Sequence, residues 1–304
     1  MKNKLKKLFK NKIILVTGGT GSIGSEIVKK LLKYEPKQIR IYSRDESKHY
    51  FLEQELARKK SKTQIKSLIG DIRDKDRLDI AFDNVDIVFH AAALKHVPYC
   101  EYNPFEAIKT NINGAQNLVE LAIKHQVERL VAISTDKAVY PNTIMGITKL
   151  MMERLVIGAY NQKKTKFAVV RFGNVLHSRG SVIPTWIDQI NNGGPVTVTD
   201  KRMKRFFMAI PQAVSLVFSA AVMMEGEEIF VLKMPKKNIY ELAQQTIKKY
   251  ANDKEIEIAI TGAREKEKLD ERLYTDEETK SMIKTEDFFI ILPNKKILKQ
   301  RKYS

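Results

Sequence analysis

Residues Ile13–Val16 form a short aliphatic run that feeds without a spacer into Thr17-Gly18-Gly19-Thr20-Gly21-Ser22-Ile23-Gly24. Glycines at 18, 21 and 24 fit a strand that turns tightly into a helix. Their missing side chains let the backbone approach a pyrophosphate, and the helix N-terminus supplies unpaired N–H groups at the positive end of the peptide dipole. A glycine pattern alone is weak; the repeat of strand and helix behind this one makes it specific. Gln38–Tyr42, Ile65–Ile69, Asp86–His90 and Arg129–Ile133 read as further strands, and stretches near 22–33, 45–59, 74–83 and 103–125 as helices.

Near-continuous apolar strands separated by helices imply a parallel sheet covered on both faces. The fold class is therefore α/β, a Rossmann-type doubly wound sheet with ligands at the carboxyl ends of its strands. After Lys149 a helix to about Asn161 and a strand at Phe167–Phe172 continue the rhythm, which then becomes irregular around Gly180, Pro184, Gly193-Gly194-Pro195 and Pro211. The expected division is a dinucleotide-binding domain at 1–174 and a smaller, interwoven substrate lobe at 175–304. Parts of 206–235 should return to the first domain, because no composition shift marks a linker.

Hydrophobic content of 43% and charged content of 30% are those of a folded globular chain. The net charge of +18 raises nucleic-acid binding, but six lysines lie in residues 1–12 and five basic residues in 294–304, with no acid in either. The body between carries about +7, and no stacking motif accompanies it, so nucleic acid is set aside. The basic ends read as solvated tails, with Leu5, Leu8 and Phe9 as an alternative amphipathic turn against a neighbour or a membrane surface. Val214–Met224 is too short and too interrupted to span a bilayer and reads as a core helix. The N-terminus has too little apolar sequence for a secretory signal, and the one cysteine, Cys100, permits neither an internal disulfide nor a multi-cysteine metal site. A cytoplasmic, homo-oligomeric protein is expected.

Candidate site residues follow the strand ends. Gly18, Thr20, Gly21, Ser22, Ile23 and Gly24 would cradle a pyrophosphate. At the second strand tip Ser43 and Arg44 suit the 2′-phosphate of NADP, while Asp45 and Glu46 keep NAD open. Asp71 and Ile72 close the third strand, where Asp71 either reaches the adenine or caps a helix. His90-Ala91-Ala92-Ala93-Leu94-Lys95-His96 ends the fourth; Ala91, Ala92, Ala93 and Lys95 would lie along the cofactor, and the histidines lack a third ligand for a metal. Thr135, Asp136 and Lys137 leave the fifth strand where nicotinamide and substrate should meet, and Lys149 lies on the next helix. A tyrosine four residues before that lysine would be usual, yet position 145 is Met145, which has no proton to exchange.

The ordered set TGGTGSIG, SRDE, GDIRD, HAAALKHVPYCEYNP, KTNINGAQN, STDKAVYP and RFGNVLHSRGSVIP resembles, over nearly the whole chain, an extended short-chain dehydrogenase/reductase. More narrowly it resembles the soluble UDP-N-acetylglucosamine 4,6-dehydratases of polysaccharide biosynthesis. The resemblance implies oxidation at C4 by NADP or NAD, loss of the C5 proton and of water from C6, and return of the hydride to C6. It makes Asp136 the acid for the departing hydroxyl and Lys137 the C5 base, with a pKa expected to be lowered by Lys149 and the nicotinamide. It further assigns Lys149 to the nicotinamide ribose and lets Asn111 shape the cofactor site. Lys95, Asn174, Ser178, Arg179, Val182, Thr199, Arg205, Arg264 and Glu267 would hold the UDP-sugar, Arg205 having a surface basic cluster as its alternative.

Two departures stand out. Without a tyrosine, Asp136, relayed by Thr135 or a water, is expected to take the C4 proton as well, while Met145 only shapes the pocket. Arg264-Glu265-Lys266-Glu267-Lys268 replaces the family's Arg-Pro-Gly-Glu-Lys, so the loop is expected to change shape or become helical. The alternatives to a dehydratase are a 4-epimerase on the same substrate and a non-catalytic dinucleotide-binding regulator.

Overall fold

The computed structural model describes residues 1–159, 164–178, 180–252 and 254–292. Helix α1 (Lys2–Phe9) precedes a regular alternation: β1 (Ile13–Thr17), α2 (Ser22–Leu31), β2 (Gln38–Ser43), α3 (Glu46–Ala57), β3 (Gln64–Ile69), α4 (Lys75–Phe82) and β4 (Ile87–His90). Helices α5 (Val97–Tyr102), α6 (Pro104–Ile108) and α7 (Gly114–Lys124) follow, then β5 (Arg129–Thr135), α8 (Ile144–Gly158) and β6 (Lys166–Phe172). The remainder contains β7 (Asn174–Val175), α9 (Val182–Asn191), β8 (Val196–Val198), β9 (Lys204–Met208), α10 (Ile210–Met223) and β10 (Glu228–Leu232). It closes with β11 (Lys236–Asn238), α11 (Ile239–Tyr250), β12 (Ile258–Ile260), β13 (Met282–Lys284) and β14 (Phe288–Ile291).

The nine-stranded sheet has the order β3-β2-β1-β4-β5-β6-β10-β14-β13. From β3 to β10 neighbours are parallel, whereas β14 and β13 are antiparallel additions at the edge. The chain reverses direction across the sheet between β1 and β4, which opens the ligand crevice above their carboxyl ends. Alternation along β1 builds both cores. Ile14 and Val16 pack with Ile27, Val28 and the α10 residues Val214, Val217 and Phe218, while Leu15 faces Leu78, Leu118, Leu121 and Met152. Each face holds only helices whose apolar stripe it can bury.

A smaller lobe has its own core around Trp186, Ile190, Val196, Met203, Phe207, Ile239 and Leu242. Helix α10 and strand β10 belong to the large sheet and its core, and the last strands depart from the expected division. Residues 282–291 lie in the large sheet, not in the lobe, because Phe288, Ile290 and Ile291 complete the large cores beside β10. The helix expected at 103–125 is also divided. A π turn at Lys109–Asn113 separates α6 from α7 and carries Asn111, a local irregularity often found at functional sites.

The N-terminal helix packs against the body of the protein. Leu5 and Phe9 are buried, and the Phe9 ring lies 5.0 Å from Phe218 and 6.0 Å from Phe89 in edge contacts. Two apolar residues of α1 are thus used inside the protein, and its lysines and Asn3 face outward. No described helix is long and apolar enough to cross a membrane. The basic tail at 294–304 lies outside the described residues.

Candidate active site

The turn after β1 has the shape that its glycines dictate. Gly18 has φ +65°, and a Cβ there would stand 2.6 Å from the Ala92 backbone nitrogen; one on Gly24 would stand 2.2 Å from the Gly18 carbonyl oxygen. The first contact seats the loop against the end of β4, and the second brings α2 down onto the loop. A Cβ on Gly21 would meet only the Gly18 oxygen, at 3.1 Å, so the side of this residue that faces the crevice stays open. The first turn of α2 carries no acid. Together these give a cradle of bare backbone and helix N-terminus with the shape and polarity for a pyrophosphate.

One cavity of about 930 Å³ runs from this cradle to the small lobe. Gly18, Thr20, Gly21, Ser22, Ile23 and Gly24 line it, as do Ser43, Arg44, Asp71, Ile72, Ala91, Ala92, Ala93 and Lys95. Thr135, Lys137, Met145 and Lys149 lie deeper, and Asn174, Ser178, Val182, Arg205, Arg264 and Glu267 line the lobe side. Arg179 lies outside the described residues.

At the far end Asp45 is occupied: it caps α3 by accepting from the Lys48 backbone N–H and pairs with the Lys48 ammonium. Arg44 is half exposed at the cavity edge and pairs with Asp71 at 3.4 Å. Burial alone would raise the Asp71 pKa, but Arg73, at 2.6 Å, and Arg44 hold it below the usual carboxylate range. Arg44→Ala should therefore weaken NADP relative to NAD by about tenfold, the loss of one charge-assisted contact at an exposed site. Fluorescence titration with each dinucleotide reads that ratio, and an unchanged preference would remove Arg44 from the cofactor site.

Two of the expected contacts lie off the cavity. Asn111 is 1% exposed and does not line the cavity. Its Oδ1 accepts from Leu94 N at 2.8 Å, and its Nδ2 donates to Leu94 O and Thr148 Oγ1, so it fixes the wall between β4 and α8 from behind. Thr199 also lies off the cavity, its hydroxyl turned to Met203 Sδ at 3.3 Å. Arg205 is no surface cluster. It is 4% exposed and donates to the carbonyls of Lys204, Lys268 and Leu269, with Glu267 at 3.4 Å.

The departing end of β5 holds the ionisable centre. Asp136 is fully buried behind the cavity wall, beside Gly173, where a Cβ would stand 2.8 Å from Phe206 and 3.2 Å from Asp136 Oδ2. Oδ2 has no hydrogen-bond partner among the described residues, whereas Oδ1 accepts from the Thr135 hydroxyl at 2.9 Å and from Lys137 Nζ at 3.1 Å. Among the described residues, Asp136 is linked to the cavity through Thr135 and Lys137. Lys137 Nζ also stands 3.4 Å from Asn174 Oδ1 and 3.7 Å from Glu271 Oε1.

The expected lowering of the Lys137 pKa is overturned. Burial works against its charge, but Asp136 and Glu271 outweigh it, and the pKa rises above the ordinary lysine value. Lys149 behaves in the opposite way. Burial lowers it to about 8 against the pull of Glu153, and its ammonium donates to the Ile133 carbonyl at 2.5 Å. His90 is held neutral, at about 3, by burial with Lys149 adding to it, and its Nδ1 pairs with Thr17 Oγ1 at 2.8 Å. Among the described residues no three His, Cys, Asp or Glu side chains are grouped to hold a metal ion. Met145 is 4% exposed and packs with Cys100 and Ala107 while lining the cavity.

Residues 264–271 were the least legible part. The segment is a turn rather than a helix, closed by Glu267 N donating to Arg264 O at 3.0 Å, and Lys266 adopts φ +61°. The left-handed position suited to glycine is kept here by a lysine. Lys266→Gly should raise stability by about 0.5–1 kcal/mol in thermal or urea melts, the relief of left-handed strain exceeding the added chain entropy; a loss of stability would mean that the Lys266–Glu101 pair, at 3.6 Å, matters more. Lys268 Nζ donates to the carbonyls of Val139 and Tyr140, and Asn142 Nδ2 to Lys266 O at 2.6 Å. The segment thus clamps the loop that leads into α8 and carries Glu271 beside Lys137. Glu271 sits in a charged run that looks like solvated surface in the sequence, and only its 4% exposure distinguishes it.

The sequence pattern of the family described as polysaccharide biosynthesis protein matches residues 14–293. A Methanocaldococcus jannaschii protein called an uncharacterized membrane protein is 52% identical over 297 residues, covering 95% of this chain and 88% of its own. A Campylobacter jejuni UDP-N-acetylglucosamine 4,6-dehydratase (inverting) is 41% identical over 298 residues, covering 96% and 86%. A Rickettsia massiliae UDP-glucose 4-epimerase is 39% identical over 303 residues, covering 97% and 87%. Among solved structures, Pen from Bacillus thuringiensis superposes with a TM-score of 0.91 at 42% identity, covering 95% of this chain and 91% of that one.

Proposed function

The chain belongs to the polysaccharide biosynthesis protein family, among the extended short-chain dehydrogenases/reductases of the UDP-N-acetylglucosamine 4,6-dehydratase group, and from that premise we propose that it removes water from UDP-N-acetylglucosamine across C5 and C6. NADP is the proposed cofactor, on the strength of the half-exposed Arg44 and the committed Asp45. The observation that carries the reading is the Thr135-Asp136-Lys137 turn at the end of β5, which shares one cavity with the glycine cradle.

A bound nicotinamide dinucleotide supplies the hydride acceptor and donor of such a cycle. The chain's own residues handle the protons. Thr135 faces the cavity and is hydrogen-bonded to Asp136, so a proton from the C4 hydroxyl passes through Thr135 into the buried carboxyl, which replaces the tyrosine absent at 145. The same proton returns by the same route to the C6 hydroxyl, which otherwise leaves poorly. Lys137, as a neutral amine, removes the C5 proton acidified by the ketone at C4. Lys149 lies below the usual lysine range and holds the nicotinamide ribose from α8. Arg264 and Asn174 take the nucleotide-sugar side, where a guanidinium matches diphosphate oxygens, while Arg205 holds the 267–269 segment at the cavity.

Purified protein incubated with UDP-N-acetylglucosamine should yield a product lighter by one water with a new 6-methyl signal by NMR. The configuration at C5 is read from the same spectrum: return of the proton by the base that removed it keeps the configuration, whereas inversion, as in the name of the Campylobacter relative, would require a second proton donor on the opposite face. The second reading is 4-epimerisation, favoured by the Rickettsia relative. It needs no acid for C6, and its signature is a galactosamine isomer without mass change, which would refute dehydration. Tight dinucleotide binding with unaltered sugar would favour a regulatory protein.

A further inference from the structure

Lys137 presents a contradiction inside the dehydratase reading: a C5 base must be neutral, yet this lysine lies between two carboxylates that favour its charge. Asp136 already serves Thr135 and has no direct access to the cavity. Glu271 is different. It is 4% exposed, lines the cavity, and points Oε1 at Lys137 Nζ from 3.7 Å, just beyond hydrogen-bond reach. Its Oε2 makes no hydrogen bond among the described residues, with Lys268 Nζ the nearest cation at 3.9 Å.

We propose that Glu271 is the positioning residue of the Lys137 base, its carboxylate receiving the ammonium proton so that a neutral amine faces C5. This rests on the dehydratase reading and deepens it. An N–H bond of Lys137 breaks and an O–H bond forms on Glu271 Oε1; the freed amine then takes the C5 proton. When C5 is protonated again by Lys137, the proton on Glu271 returns to the amine, and no net proton or electron is gained.

The physical reason is charge conservation in a buried cluster. Moving a proton from Lys137 to Glu271 leaves the net charge unchanged, whereas releasing it to solvent would leave uncompensated carboxylates in a site of low dielectric. The groups facing Glu271 are Lys137 and Asp136 from the turn after β5, Arg205 from β9 and Lys268 from its own segment. Burial and Asp136 favour the protonated carboxyl; Lys137, Arg205 and Lys268 oppose it, and the balance raises its pKa. Arg205 itself is already bound to the carbonyls of residues 268–269 and to Glu267.

The test is the pH dependence of C5 exchange in heavy water, measured with the dehydration rate. Wild type should be flat across neutral pH, because the internal transfer keeps the proton count constant. Glu271→Gln, the same shape without a proton acceptor, should be slower by roughly a hundredfold near pH 7 and gain about tenfold per pH unit, as free ionisation of Lys137 takes over. A merely structural role would lower the rate by a constant factor, and a flat profile in this variant, or a sloping one in wild type, overturns the inference. Should the glutamine variant fail to fold, Glu271→Asp is expected to be slow with its plateau intact, and a tenfold-per-unit slope there overturns it equally. If wild type forms no dehydrated product, the dehydratase reading falls first and takes this proposal with it; if wild type dehydrates, the profiles judge Glu271 alone.

Discussion

Lys137→Ala should abolish deuterium uptake at C5 from heavy water and lower dehydration by about 10³–10⁴, the upper part of the range for removing a general base. No substitute stands ready. Among the ionisable neighbours, Asp136 is sealed behind the wall, Arg205 is bound to backbone carbonyls, and Glu271 would lose the partner whose proton it takes. Oxidation at C4 depends instead on Thr135 and Asp136, so the variant should still transfer hydride once and accumulate absorbance from reduced nicotinamide. Persistent C5 exchange would mean that the base lies elsewhere; absence of both exchange and hydride transfer would mean that Lys137 chiefly anchors substrate.

Arg171→Met should be the most destabilising single change outside the hydrophobic cores, by about 3–5 kcal/mol, the cost of leaving buried carboxylates without their partner. Arg171 is 1% exposed on β6. It is held by Glu153 through Nε at 3.1 Å and Nη2 at 2.6 Å, by Glu278 at 3.0 Å through both Nη atoms, and it donates from Nη1 to Leu273 O. Burial alone would depress its pKa, but the two carboxylates raise it instead. For a chain of this size the loss corresponds to a melting temperature lower by on the order of 10 °C. The triple change Arg171→Met with Glu153→Gln and Glu278→Gln should recover part of it, because neutral amides cost less to bury. A shift under about 2 °C for the single variant would show that water enters the site and screens the carboxylates.

Arg171 opens the Arg171-Phe172-Gly173-Asn174-Val175 motif that resembles a sugar-nucleotide grip, yet strand alternation turns it away from the cavity. There it ties α8 and the 273–278 segment to the sheet, while Asn174, beyond the strand end, faces the site. Neighbours in sequence thus divide between stability and binding according to which side of the strand end they leave.

What was legible locally was the part whose cause is local. Gly18 and Gly24 are required by contacts within the strand-turn-helix unit and with the end of β4, so their spacing, joined to the strand-helix repeat behind it, announced the cradle. The Thr135-Asp136-Lys137 turn was likewise legible, because it sits at a strand end where topology concentrates chemistry. The fate of α1 was not: its lysines suggested a free basic tail, while its anchoring depends on Phe9 meeting Phe89 and Phe218 from distant segments. The sequence by itself determined the fold class, the glycine cradle and the strand-end turn, because periodicity and backbone sterics act over a few residues. Only the tertiary structure decided the charge on Lys137, the concealment of Asp136 and the presence of Glu271, because protonation depends on burial and on carboxylates more than a hundred residues apart in the chain.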